Sequence, residues 1–142
     1  MKKLIIGALV ALIAINSIAA DEYHYQGTPI ATAVMVSFPD RSAAFKPDDS
    51  QAEILSAAKD AASIYIRGRT STDKASKQDE ALALARAISA RNYLIARGVS
   101  PLKISINYAS AMDFIASNQT REGRMLNQRV EVELIHVPLI ND

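Results

Sequence analysis

From Ala33 onward the apolar positions fall into short runs of period two, separated by polar stretches. Val34, Val36 and Phe38 share one side while Met35 and Ser37 take the other, the alternation of a half-buried strand. Pro39 to Ala44 reads as a loop, and Phe45-Lys46-Pro47 leads toward a helix. Ser50-Gln51-Ala52-Glu53 fits a capping box, in which hydroxyl and carboxylate exchange hydrogen bonds with the free amides of the first turn. Ile54, Leu55, Ala57 and Ala58 carry that helix to near Asp60. Ala62, Ile64 and Ile66 then alternate with Ser63, Tyr65 and Arg67 in a second strand. After a polar turn, Ser76-Lys77-Gln78-Asp79 gives a second cap and opens the longest helix. Its predicted apolar stripe is Ala81, Leu84, Ala85, Ile88 and Ile95. Gly98 as a left-handed residue, Val99 packing back and Pro101 beyond mark its end. Leu102, Ile104, Ile106 and Tyr108 predict a third strand, and Thr120 to Leu126 a short helix. A fourth strand sets Val130, Val132 and Leu134 against Arg129, Glu131 and Glu133.

Strands of a parallel sheet covered on both faces read as continuous apolar runs. Here they alternate with polar and charged residues, so helices are expected on one face only. The expected fold is an α+β two-layer sandwich, in the order β-α-β-α-β-(short α)-β around a mixed sheet. One domain over 33–137 is flanked by an extended segment, 21–32, and a tail, 138–142.

The first twenty residues read differently. Lys2 and Lys3 precede an apolar run from Leu4 to Ile15, and Asn16-Ser17-Ile18-Ala19-Ala20 supplies small residues for cleavage. That is the layout of a secretory signal peptide, with the run too short for a membrane anchor of about 20 apolar residues. Residues 1–20 are therefore expected to be removed on export, leaving a periplasmic protein with no direct membrane insertion. No Cys follows the run to take a lipid. Removing Lys2 and Lys3 turns the balance of sixteen basic and fifteen acidic residues from +1 to −1, which argues against nucleic acid.

Candidate chemistry is sparse. With no Cys there is no thiol nucleophile and no Cys-ligated metal, and the two histidines, His24 and His136, lie near opposite ends of the chain. No Gly-x-Ser-x-Gly elbow occurs. The acidic pairs Asp48-Asp49 and Asp79-Glu80 suit helix N-termini, where carboxylates complement the dipole. Neither an enzyme, a metal site nor a cofactor is expected.

Four strings, in order and correctly spaced over about residues 33–135, resemble the OmpA-like domain, the peptidoglycan-binding module of Gram-negative envelopes. They are Val36-Ser37-Phe38 with Phe45-Lys46-Pro47; Gly68-Arg69-Thr70-Ser71; Leu82-Ala83-Leu84-Ala85-Arg86-Ala87 followed by Tyr93-Leu94 and Gly98-Val99; and Asn118-Gln119-Thr120-Arg121-Glu122-Gly123-Arg124 running into Asn127-Gln128-Arg129-Val130-Glu131-Val132. The resemblance implies a ligand, the diaminopimelate of the peptidoglycan stem peptide, with an ammonium beside a carboxylate. It also implies an Arg on the long helix for the carboxylate, matched by Arg86, and an Asp in the preceding turn for the ammonium. Ser71 stands at that second position. A hydroxyl accepts a hydrogen bond from an ammonium without neutralising it, which weakens binding by about tenfold.

Asp73, in the same turn, and Asp79, two helical turns before Arg86, are candidates for the missing anion. Each has a plainer role, as a solvated turn residue and as a cap. Asp79 and Arg86 fall roughly opposite the predicted apolar stripe, on a face expected to be exposed. Asn127 is either a site residue or a turn-former, and Arg129 either borders the pocket or pairs with Glu131 or Glu133. Arg124 is expected to be structural, and Arg69 adds a positive charge beside the site or is solvated. The family's glycine-rich stretch after the third strand is replaced by Tyr108-Ala109-Ser110-Ala111-Met112-Asp113-Phe114.

Two readings follow. In one, the protein grips diaminopimelate-type peptidoglycan through Ser71, Asp73, Asp79, Arg86, Asn127 and Arg129. In the other, the site is degraded and the fold serves a protein partner in an envelope-spanning secretion, pilus or conjugation machine. A cationic pocket at Arg86 favours the first, and exposed apolar residues around Tyr108, Met112, Phe114 and Ile115 favour the second. An envelope protein partner is expected either way.

Overall fold

The computed structural model describes residues 27–138. The signal peptide expected at 1–20, the start of the lead-in and most of the tail fall outside them. Four strands, β1 (Ile30–Ser37), β2 (Ser63–Arg69), β3 (Ile104–Ala109) and β4 (Arg129–His136), form one sheet in the order β1-β4-β2-β3. Three helices, α1 (Asp49–Ser56), α2 (Lys77–Ala96) and α3 (Arg121–Asn127), complete the α+β order. β4 runs antiparallel to both its neighbours, and β2 and β3 are parallel through the α2 crossover.

The register places apolar residues side by side. Val36 faces Val130 and Val34 faces Val132 across β1–β4, while Ile64 and Ile66 face Leu134 and Val132 across β2–β4. All these residues are buried, joined by Phe38 and Phe45 and, from the helical layer, Leu55, Ala87, Ala90 and Leu94. The opposite face is open: Met35 and Tyr65 are exposed there, and Arg67 pairs with Glu133 at 2.9 Å.

Four expectations are corrected. β1 begins at Ile30, so part of the segment expected to precede the domain is already paired with β4. The cap of α1 is Asp48 rather than Ser50: Asp48 Oδ1 accepts from the Gln51 N–H and Gln51 Oε1 accepts from the Asp48 N–H, both at 2.8 Å. Gln51 Nε2 also donates to the Met35 carbonyl at 2.7 Å, a tie to β1 that favours this register. Leu102 lies outside β3, in a single 3₁₀ turn capped by Ser100, and is 96% exposed.

The fourth correction matters most. The face of α2 turned to the sheet carries Ala83, Ala87, Ala90 and Leu94, with Arg86 alongside, whereas Ala81 and Ile88 are exposed. Small side chains let the helix come close. A Cβ placed on Gly68 of β2 would lie 2.1 Å from the Ala83 carbonyl oxygen, so only glycine fits there. The expected end of the helix is as built: Gly98 has φ 88°, its N–H donates to Ile95, and the Val99 N–H donates to Leu94, a Schellman motif.

Candidate functional site

Arg86 is the largest fully buried side chain, 1% exposed, rather than a member of an exposed face. Its Nε donates to the Ser42 carbonyl at 2.9 Å, Nη1 to Arg69 at 3.0 Å and Nη2 to Pro39 at 3.4 Å. The guanidinium carbon lies 5.2 Å from the centre of the Phe38 ring. No carboxylate among the described residues comes within ion-pair distance of it. Burial pushes its pKa down to about 10, opposed by Asp40 and Asp79, so it stays positive at neutral pH. Three of the five guanidinium N–H groups are occupied, which leaves a rigidly held cation with donors to spare.

What Arg86 holds is a turn. The Ser42 N–H donates to Pro39 at 3.1 Å, and Arg41 sits between them at φ 58°. By gripping both ends, Arg86 fixes Asp40 at the rim of a cleft of about 350 Å³. The cleft is lined by Asp40, Arg41, Thr70, Ser71, Thr72, Asp79, Leu82, Arg86 and Gln128. Buried Gln128 bridges it, its Nε2 donating to Asp40 Oδ1 at 2.8 Å and to Ser71 Oγ at 2.9 Å. Asp79 gives one oxygen to the Ser76 hydroxyl at 2.6 Å, while the Ser76 Oγ accepts from the Asp79 N–H. It therefore both holds Ser76, the cap of α2, in place and forms a wall of the cleft. The arrangement places two carboxylates, Asp40 and Asp79, near one buried cation, so anionic and cationic groups face the same cleft.

Of the residues singled out from sequence, Ser71, Asp79 and Arg86 come together in this cleft. The other three are engaged elsewhere. Asp73 is exposed and accepts from Asn118 Nδ2 at 2.9 Å. Asn127 is wholly buried; its Oδ1 accepts from the Ile115 and Ala116 N–H groups, and its Nδ2 donates to Ala116 O and Asn118 Oδ1. Arg129 is buried against Glu131, with Nη2 also donating to the Asp113 carbonyl at 2.8 Å. Arg69 is neither solvated nor in the cleft: it is buried, and its Nε donates to Asp113 Oδ2 at 2.7 Å. Arg124 donates to the Asn118 carbonyl at 2.9 Å, the structural role expected of it. Sequence reasoning missed Asp40 and Gln128. The signal for Asp40 was its place in a Pro-Asp-Arg-Ser turn directly after a strand; for Gln128, which meets it from 88 residues away, there was none.

The segment that Asn127, Arg69 and Arg129 hold has its own feature. Ala111 and Asp113 adopt φ 55° and 57°, the left-handed region natural to glycine. Two left-handed positions thus fall two residues apart in a stretch that carries no glycine. Tyr108, Met112, Phe114 and Ile115 are each roughly half exposed. Among the described residues no helix is long and apolar enough to cross a membrane.

Comparison with known proteins places the fold. A type IV secretion system outer membrane lipoprotein of Brucella suis is 32% identical over 109 residues, covering 75% of this chain and 63% of its own length. The chain thus spans somewhat under two thirds of the curated relatives it matches. Among solved structures, the peptidoglycan-associated lipoprotein from Burkholderia pseudomallei superposes with a TM-score of 0.61 at 19% identity, over 72% of this chain and 89% of that one. The C-terminal domain of Helicobacter pylori MotB gives 0.58 at 26% identity, over 74% and 85%. Residues 41–128, from the turn that Arg86 grips to the glutamine that bridges the cleft, match the OmpA family, and the chain belongs to that family.

Proposed function

We propose that the protein is a peptidoglycan-associated component of the Gram-negative envelope, acting in the periplasm, and that the Arg86 cleft binds the diaminopimelate of the stem peptide. The observation that carries this reading is the pair of carboxylates around Arg86. Ser71 lacks the charge that the family's aspartate brings, and Asp40 stands within two hydrogen-bond lengths of it through Gln128. The ammonium of the ligand meets Asp40, with Asp79 on the helix side, and its carboxylate meets the remaining N–H groups of Arg86. Oδ2 of Asp40 is not engaged by Gln128, so it is free to accept.

The test is sedimentation of the purified chain with diaminopimelate-type peptidoglycan. Wild type is retained, and Asp40→Asn weakens retention about tenfold, the difference between a charged and a neutral hydrogen bond. Adding Ser71→Asp to Asp40→Asn restores retention, because the family's own anion then returns. An Asp40→Asn variant that binds like wild type sinks the role of Asp40. A folded wild type that is never retained sinks the reading.

A second reading has specific support. The Brucella relative is named for a type IV secretion system, and Tyr108, Met112, Phe114 and Ile115 are exposed on one segment. In that case the domain works as a protein-binding part of an envelope-spanning machine. Cross-linking in cells from Phe114 and from Asp79 separates the two: capture of protein from the first and of wall fragments from the second.

A further inference from the structure

At the other end of α2 lies a groove of about 540 Å³, larger than the Arg86 cleft, lined by Ala52, Leu55, Ser56, Lys59, Tyr93, Arg97 and Val99. One wall comes from α1 and the 3₁₀ turn after it, the other from the last turns of α2. The floor is apolar: Leu55 and Val99 are core residues, and Tyr93 packs edge-on against Phe45 with ring centres 5.2 Å apart. Two cations stand at its edges and no carboxylate lines it. Arg97 lies flat over the Tyr93 ring at 3.5 Å, and its Nη1 donates to the Tyr93 carbonyl at 3.1 Å. Lys59 extends across Gly98, and its own carbonyl is held by Lys103 Nζ at 3.0 Å, which brings a third positive charge near. No described carboxylate forms an ion pair with any of the three.

These cations suit the negative end of the α2 dipole. That role does not require a groove, and the Leu94 and Ile95 carbonyls at the end of α2 are already satisfied by the Schellman motif. We infer that the groove is a docking site for an extended acidic segment of a partner protein, its apolar side chain seated over Leu55 and Tyr93 and its carboxylates meeting Lys59 and Arg97. The charge complementarity is one-sided: an acidic occupant gains two partners and meets no like charge among the lining residues. Stacking on Tyr93 holds the Arg97 fork in place before the occupant arrives, which lowers the ordering cost of binding. Arg86 and Arg97 are eleven positions apart on one helix, about 16 Å, so both sites can be filled at once. The inference therefore stands whether or not the cleft holds peptidoglycan, and it gives this domain a means of tying a wall ligand to a protein.

The experiment is a titration of the isotope-labelled full chain with a blocked hexapeptide alternating leucine and glutamate, followed by amide chemical shifts. The leucine–lysine counterpart serves as control. The expected result is shifts confined to residues 52–59 and 93–99, fading as salt is raised, with no response to the lysine peptide. Reversing both charges with Lys59→Glu and Arg97→Glu lowers affinity at least tenfold and transfers binding to the lysine peptide. That variant keeps whatever peptidoglycan retention the wild type has, so failure here and failure of the cleft are read separately. Absent or scattered shifts, or equal response to both peptides, overturn the inference. So do shifts in this groove that arise only with anionic phospholipid vesicles, or with protein concentration alone; these identify a lipid surface or a second copy as the occupant.

Discussion

Toward its N-terminus α2 meets the sheet through Ala83 and Ala87 against Gly68, so close that the two backbones nearly touch. Beside this contact the chain has buried a guanidinium and surrounded it with three carbonyls. Toward its C-terminus the same helix meets the sheet through Leu94, with Phe45 and Tyr93 packed nearby, and its charges stay at the surface. The first end is organised by backbone polar groups and the second by side-chain volume. A charge is buried only where carbonyls have been arranged to receive it, and that arrangement depends on the close approach that alanine and glycine permit. Arg129, equally buried, donates to the Asn127 and Asp113 carbonyls as well, but it also has Glu131 as an ion-pair partner, which neutralises its charge within the fold.

The two ends can be broken separately. Gly68→Ala is the most damaging change expected, because the added carbon meets backbone that cannot swing aside. It costs about 3 kcal/mol or more in denaturant unfolding, and peptidoglycan retention falls with it. Leu94→Ala costs about 2–5 kcal/mol from the cavity it leaves. At temperatures where the variant is folded, its retention equals wild type, since Leu94 is not among the residues that line the cleft. Arg86→Lys is milder in stability, about 1–3 kcal/mol, because an ammonium cannot reach three carbonyls lying in different directions. Its retention is nonetheless lost, since the Asp40 turn is released. Loss of retention without loss of stability would mean that Arg86 acts on the ligand alone and not through the turn. The smallest effect is at Ala111→Gly. Relief of a left-handed alanine and the greater freedom of glycine in the unfolded chain nearly cancel, leaving under about 1 kcal/mol in thermal unfolding.

The contrast also explains what could be read from sequence. Strands announced themselves through strict alternation at Val34, Val36 and Phe38 and at Val130, Val132 and Leu134, because only one face of this sheet is covered. The ends of α2 were legible because Ser76 and Gly98 have local reasons to be there. Its buried face was not. From Ala81 to Ile95 the helix carries alanine, leucine and isoleucine on nearly every side, and the face that wins is chosen by size rather than hydrophobicity. The same preference for small residues put Arg86 on the inner side, against the expectation of an exposed face. Of the site, Arg86, Ser71 and Asp79 were found by resemblance and spacing. Asp40 joins them through a turn clamped from a different element, a relation no local pattern encodes.

The order of the strands bears on how the protein comes to exist. Among the described residues β4 is the last strand in sequence and is central: β1 has no strand neighbour but β4, and β2 meets β1 only through it. The sheet thus cannot close while β4 is missing, and pairings of such long sequence separation slow the folding of the whole domain. Until that strand is made, β1 on one side and the β2–β3 pair on the other have no common neighbour to join them into one sheet.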